Sequence, residues 1–577
     1  MNNLLNTNES GMSDRGRKFL GAFAGYGTIL ITLLLLFFFL ILPVSIIMSK
    51  ALVGENGLTL EYFSLLFAND LQVESILNSL YIGLATTVLC TIVSLPLAII
   101  NCRFDFPGKG LLTGLLLVPM IMPPFVGAIG IQRFFARFGS VNMLLMDWGW
   151  IEQPIEWLGG SNMFWAVVIL EVLHLYPIMY LNLSAALANI DPSLEEMATT
   201  LGVSRWKQYK DLIWPLARPG YFAGAIIVFI WALTDLGTPL LVGFHETMPV
   251  RIFNMITDVN ENPMGFALVF IVIILTVSIF LVSKVFLGGK KFQMMAKGHV
   301  TSPVRPAKTL GKIIIYPLIL LTVGFALLPH LTVLITSLSD NWFMTVLPEQ
   351  YSTKHYQMFF QQELPLIGIK NSFLFASLAT LFDLILGLLI AYIVSRKLIP
   401  FANWLDALVM IPLALPGIVL AFGYVITYTD TFLDPLHNPV PLLVIAYGIR
   451  RLPYMVRSAT AGLQQTSLSL EEASSSLGAS RFMTLRKITV PLVTANLIAG
   501  ALLCFSYAML DVSDSLILTM KDQFYPLTKA IYALYLEQGS GEFVASALGV
   551  IAMFIMAACI LGASAILGKK MGEIFRS

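Results

Sequence analysis

Charge is scarce in this chain: of 577 residues only 12% are Asp, Glu, Lys or Arg, against about 25% in an ordinary soluble domain. With 57% of residues hydrophobic, that shortage excludes a soluble globular protein. Cysteine is scarce too. Cys90, Cys102, Cys504 and Cys559 lie mostly within apolar runs, with no CxxC pair and no histidine at ligand spacing, so they read as buried small hydrophobes rather than disulfides or metal ligands. No G-x-x-x-x-G-K-[ST] phosphate loop occurs, so any ATP-driven step needs another chain. No His/Asp/Glu cluster or nucleophile motif points to a membrane enzyme. The net charge of +1 says little about partners, and no nucleic acid is expected.

What the chain has in quantity is long apolar runs. A helix crosses a bilayer with roughly 20 apolar residues, whereas barrel strands are short and alternating. The runs predict an all-α polytopic membrane protein with about twelve spans: 26–48, 76–100, 111–131, 163–187, 221–242, 265–287, 313–338, 372–395, 405–428, 441–463, 497–518 and 544–567. Arg15, Arg17 and Lys18 precede an apolar run longer than a signal-peptide core, with no small-residue cleavage site, so the first helix is expected to be retained. Basic residues fall on alternate connections: Arg103 and Lys109; Arg205, Lys207, Lys210 and Arg218; Lys290, Lys291, Lys297, Arg305 and Lys308; Arg396 and Lys397; Arg481, Arg486 and Lys487; Lys569 and Lys570. These connections, and both termini, are expected in the cytoplasm.

The chain also repeats itself. ALANIDPSLEEMATTLGVSRWKQYKDLIWPL (186–216) matches GLQQTSLSLEEASSSLGASRFMTLRKITVPL (462–492), with Glu196 and Glu472 standing 276 positions apart. The same offset joins Pro177 to Pro453, Gly202 to Gly478, Pro215 to Pro491 and Asp235 to Asp511. Upstream, Asn78-Ser79 matches Asn371-Ser372, and Pro119, Pro123 and Gly130 match Pro412, Pro416 and Gly423, all at an offset of 293. The first copy thus carries 17 extra residues between its third and fourth helices, in a Trp- and Gly-rich stretch at 132–162 expected to form a local helix or hairpin on the outer face. The expected organisation is an N-terminal tail (1–25), a first half (26–287), a basic linker (288–312), a second half (313–567) and a C-terminal tail (568–577).

Each repeated segment is punctuated as helix, turn, helix. Asp191 before Pro192 offers an N-cap, and Ser469 with Glu472 has capping-box spacing. Gly202 and Gly478 stand where a left-handed residue ends the first helix; Ser204 and Ser480 can cap a second, which Pro215 and Pro491 are expected to stop. Glu196-Met197-Ala198, Gly202 and Leu212 through Pro215 resemble the "EAA" loop of ATP-binding-cassette (ABC) importer permeases, as do Glu472-Ala473-Ser474, Gly478 and Ile488 through Pro491. Met197 and Ser474 replace alanine, and Trp214 and Val490 replace leucine, all tolerable changes.

The resemblance implies a type I importer permease with two fused six-helix halves, in a bacterial inner membrane. Glu196, Ala198, Gly202, Pro215, Glu472, Ala473, Gly478 and Pro491 would belong to coupling loops seated on two copies of a cytoplasmic ATPase, which would use ATP and Mg; no cofactor is expected on this chain. TDLGTPLLVGF from Thr234 and YGIRRLPYMVRSATAGLQQ from Tyr447 resemble fused permeases of the ferric-iron importer type, over nearly the whole chain. Relatives in that group are assigned to ferric iron, phosphonates, sugar phosphates or thiamine, with a separate extracytoplasmic binding protein setting specificity. A secondary transporter can also have two six-helix repeats, but it has no need of a duplicated docking helix.

Ionisable residues at membrane depth are the candidates for the solute path: Glu171, His174, Asp235, Arg450, Arg451 and Asp511, with Asp383 and Asp514 beside them. His174 matches Arg450 and Asp235 matches Asp511. The arginines would suit an anion and the carboxylates a hard cation; the competing reading is an arginine–aspartate pair that only holds helices together. Pro119, Pro123, Pro124, Pro412 and Pro416 would break the third helix of each half toward a cavity, or simply kink it.

Overall fold

In lipid a backbone satisfies its own polar groups by closing into helices, and the computed structural model, which describes residues 26–54, 57–256, 263–288 and 305–567, is built of them. The principal helices are α1 (Tyr26–Leu52), α2 (Asp70–Arg103), α3 (Pro124–Phe135), α4 (Asn162–Ala188), α5 (Arg205–Thr234) and α6 (Met264–Gly288), then α7 (Thr309–Leu338), α8 (Glu363–Ser395), α9 (Gly417–Tyr428), α10 (Val440–Gln465), α11 (Phe482–Met509) and α12 (Gly541–Leu567). Among the described residues nine helices are long and apolar enough to span, or up to eleven if each bent pair is one span. The exception is α10, long enough but carrying Arg450, Arg451 and Arg457.

The prolines do break the third span of each repeat. The chain bends by 88° between Lys109–Met120 and the α3 arm, and by 94° between Ala402–Ala414 and α9. The fifth spans also differ from the apolar runs 221–242 and 497–518. Each α5 and α11 helix starts earlier and breaks at its aspartate, after which Gly237–Val242 and Ser513–Leu518 form separate short helices.

Pro215 and Pro491 do not stop a helix, contrary to expectation. Proline lacks an amide and crowds the carbonyl four residues back. Here a wide π turn, Tyr209–Ile213 or Leu485–Thr489, precedes each proline and accommodates both defects, so the helix runs on into the membrane.

α1 shows the same device. A π turn at Phe37–Ile41 precedes Pro43, and the Phe38 and Phe39 carbonyls accept from the Tyr428 and Tyr424 hydroxyls at 2.6 and 2.7 Å. α1 is thereby fastened to α9 of the other repeat. Reciprocally, α7 lies on α3: Gly130 packs directly against the Pro329 carbonyl, and Gly423 against Pro43. The cores of the repeats are α4 with α2 and α5, and α10 with α8 and α11.

The tails 1–25 and 568–577 and residues 289–304 of the linker lie outside the described residues. The remainder of the linker is not a bare tether: Arg305–Pro306 pairs in parallel with Phe104–Asp105, and α7 begins at Thr309. The extra stretch of the first repeat forms the helix Ser140–Asp147 and a loop organised by buried Asn142, which bonds the Arg137 and Ile155 carbonyls, the Ile155 amide and the Trp157 indole.

Candidate functional site

Two features recur in both repeats: a short surface helix before α5 and α11, and a polar group at the broken spans.

The surface helices are Pro192–Thr200 and Leu468–Ser476. Asp191 caps the first by accepting from the Ser193 amide at 2.9 Å; that bond, then the Ser193 hydroxyl, holds its carboxyl below the usual range. The second is capped by Ser467, not by the Ser469–Glu472 box, because the helix starts one residue before Ser469 and the Ser469 amide is itself the capped donor. Both helices end at glycines with positive φ, +72° at Gly202 and +86° at Gly478. There is open space around both, so backbone conformation rather than crowding requires glycine.

The glutamates of the repeated pair divide their roles. Glu196 and Glu472 are exposed, as is Ala473, while Ala198 is partly covered. The preceding residues, Glu195 and Glu471, are the anchored ones. Glu195 pairs with Arg103 at the end of α2, and Glu471 with Arg396 after α8 at 2.8 Å. Sequence reasoning passed over these pairs, although Arg103 and Arg396 recur at one offset and the two glutamates at the other. It also passed over two pairs of exposed apolar side chains at equivalent positions beside the glycines, Leu201 with Leu477 and Trp206 with Phe482.

At the broken spans, His174 and Arg450 occupy equivalent places. The residue four ahead of Pro119 is Pro123, which has no amide; the Pro119 carbonyl accepts from the Met122 amide at 3.3 Å instead, and His174 Nδ1 lies 3.2 Å from it. In the second repeat Arg450 lies over the start of α9, where a Cβ at Gly417 would come within 2.5 Å of its Nη1. Asp235 and Asp511 cap the short helices after their breaks: Asp235 accepts from the Thr238 amide and Asp511 from the Asp514 amide, at 2.8 and 2.9 Å. Gly237 and Val512 touch across the two repeats, so the breaks meet.

The surroundings then diverge. In the first repeat buried Glu171 lies against Asp235 and Thr238, and His174 is the basic group nearby. In the second, Arg450 Nη1 donates to Asp511 and Asp514, both at 2.8 Å, and Arg451 Nη2 donates to Asp511 at 2.5 Å and to the Tyr507 carbonyl at 2.9 Å. Arg450 is the member with residual exposure, 22% of its side chain against 7% or less for the others. The structure therefore brings Arg450, Arg451 and Asp511 together, adds Asp514, and leaves Glu171, His174 and Asp235 as a separate group. Among the described residues no three His, Cys, Asp or Glu side chains are arranged to hold a metal ion.

The repeated Asn-Ser dipeptides also have a visible task. Asn78 donates to the Glu246 carbonyl and Ser79 accepts from the Met248 amide; Asn371 donates to the Tyr525 carbonyl and Ser372 accepts from the Leu527 amide. Each pair pins the loop that follows the short helix after the break.

The chain is 28% identical over 543 residues to the ferric transport system permease protein FbpB of Actinobacillus pleuropneumoniae, covering 93% of this chain and 77% of that one. It is 27% identical over 518 residues to the putative ferric transport system permease protein FbpB 1 of Haemophilus influenzae, covering 88% and 79%. The molybdenum transport system permease protein ModB of Haemophilus influenzae is 26% identical over 233 residues, nearly all of that protein and 39% of this chain. The model of the binding-protein-dependent transport system inner membrane component matches twice, over residues 92–288 and 383–573, and the chain belongs to that family of ABC importer permeases.

Proposed function

We propose that this permease passes ferric iron, handed over by an extracytoplasmic binding protein, across the bacterial inner membrane, driven by two copies of a separate ATPase that uses ATP and Mg. Its conducting part would be two permease halves, 26–287 and 313–567, with both termini in the cytoplasm.

The observation that carries the choice of cargo is the neutralisation of the arginines. Arg450 and Arg451 would recommend an anion if they stood free. Instead Asp511 and Asp514 take them up, while Glu171, Asp235 and Asp383 add further carboxyl groups at membrane depth. Oxygen-rich, acidic surroundings suit a hard cation. The naming of the relatives as ferric permeases supports the same reading. For the ATPase, the support is the twofold presentation of a glycine-ended helix with exposed Leu201 and Trp206, or Leu477 and Phe482, an apolar surface that water alone does not favour.

The test is reconstitution of the chain with its ATPase and binding protein in proteoliposomes. Ferric uptake that requires ATP and the binding protein is expected. Uptake driven by an ion gradient without ATP, or ATP-dependent uptake of a phosphonate or sugar phosphate but no ferric iron, would reject the proposal.

A further inference from the structure

Asp383 stands on α8 with 1% exposure, and neither of its carboxylate oxygens has a hydrogen-bond partner among the described residues. An unpaired carboxyl at membrane depth is costly, so its neighbours are informative. The first repeat has Cys90 at the equivalent position, which makes the carboxyl a property of the second repeat alone.

The neighbours come from α10 and α11. A Cβ at Gly448 would lie 3.5 Å from Asp383 Oδ1, and Arg451 follows one turn along the same face of the helix, where Cβ atoms are about 5–6 Å apart. Arg451 is the charge acting on Asp383, and the Cys504 thiol is the polar group beside it. Arg451 is itself only half engaged. Its Nη2 holds Asp511 and the Tyr507 carbonyl, while Nη1, 4.0 Å from Asp514, has no hydrogen-bond acceptor. An acceptor without a donor, Asp383 on α8, therefore lies against the face of α10 that carries a donor without an acceptor, Arg451 Nη1.

We propose that Asp383 is a second seat for the Arg451 guanidinium, which leaves Asp511 for Asp383 as the repeats rearrange and so uncovers the Asp511 and Asp514 carboxylates to a hard cation in transit. With Arg451 on Asp511, two guanidinium groups face two carboxylates and a cation gains nothing there. With Arg451 on Asp383, Arg450 alone faces the two aspartates, and the group turns net negative on the side where Arg450 is exposed. The exchange conserves pairing, since one carboxylate replaces another around the same guanidinium. Asp383 acts here as a positioning residue, through Arg451. The inference rests on the cation-importer reading.

The experiment uses the complete transporter in proteoliposomes, with ferric iron as the probe. Asp383→Asn keeps the volume and removes the charge; it should cut ATP-driven uptake at least tenfold while the ATPase still co-purifies. Asp383→Glu should restore a substantial part of uptake. Wild-type uptake by Asp383→Asn, or equal loss in both variants, overturns the proposal. If Asp383→Asn fails to assemble, Arg451→Lys provides the second reading. A lysine point charge lacks the planar fork with which the guanidinium would pair at either seat, so the same loss is expected, and unchanged uptake overturns the idea. Should the wild type carry no ferric iron, the cation reading fails by itself. ATPase activity stimulated by the binding protein then reports on the exchange, its tenfold loss in Asp383→Asn with recovery in Asp383→Glu supporting it and its persistence overturning it.

Discussion

Arg396 grips Glu471 through Nε at 3.1 Å and Nη2 at 2.8 Å, tying the end of α8 to the surface helix Leu468–Ser476. The Tyr392 and Thr489 hydroxyls complete the carboxylate's contacts at 3.1 and 3.2 Å. If an ATPase docks on that helix, force on it would reach α8 through this charge-assisted link. Removing one partner of such a covered pair costs about 3–5 kcal/mol, because the other is left uncompensated. Glu471→Ala should therefore loosen the helix and reduce co-purification of the ATPase severalfold, while Glu472→Ala, at an exposed position, should do much less. The two glutamates behaving alike in a pull-down would contradict the division of roles.

Gly202 and Gly478 supply a second test. A left-handed backbone costs a residue with a Cβ roughly 1–2 kcal/mol, more for a β-branched one. Gly202→Val and Gly478→Val should weaken ATPase docking and transport without preventing membrane insertion. Unchanged co-purification and unchanged transport in both variants would remove the coupling role from these helices.

How far the sequence reaches can be judged from these same residues. Apolar runs, proline positions and the two offsets foretell the broken third spans and the left-handed glycines, because each depends on local chemistry. They do not foretell that Glu195 and Glu471, rather than their neighbours, are anchored, since the arginines that hold them lie about 75–92 positions earlier in the chain. Nor do they foretell the π turns before Pro215 and Pro491. A proline in an apolar pattern reads as a helix end unless the surrounding helix is known to absorb it. The capping role of Asp235 and Asp511 was hidden for the same reason: the apolar runs continue through the break.

The loop added to the first repeat exposes Trp148 and Trp150 with their ring centroids 5.1 Å apart, on a frame held by Asn142. Rigid aromatic area of this kind is enriched at protein interfaces. Replacing both tryptophans by serine should spare assembly and basal ATPase activity but lower stimulation by the binding protein. Asn142→Ala should do the same by collapsing the frame, leaving several buried groups without partners. Full stimulation in the double tryptophan variant would make the loop mere decoration.

The last expectation concerns Arg450 and Asp514, paired at 2.8 Å with the carboxylate fully buried. Arg450→Ala leaves Asp514 facing only Arg451 at 4.0 Å, so loss of transport and some loss of assembly are expected. The informative variant is Arg450→Ala with Asp514→Asn, which removes the charge from both sides. If the pair only holds α10 to the break after α11, the double variant regains transport along with assembly. If Arg450, the exposed member of the cluster, meets the solute path, assembly returns and transport does not. The second outcome is expected, because a purely structural pair has no reason to leave one side chain open at the point where the two repeats meet. Normal transport in the Arg450→Ala single variant would exclude both roles.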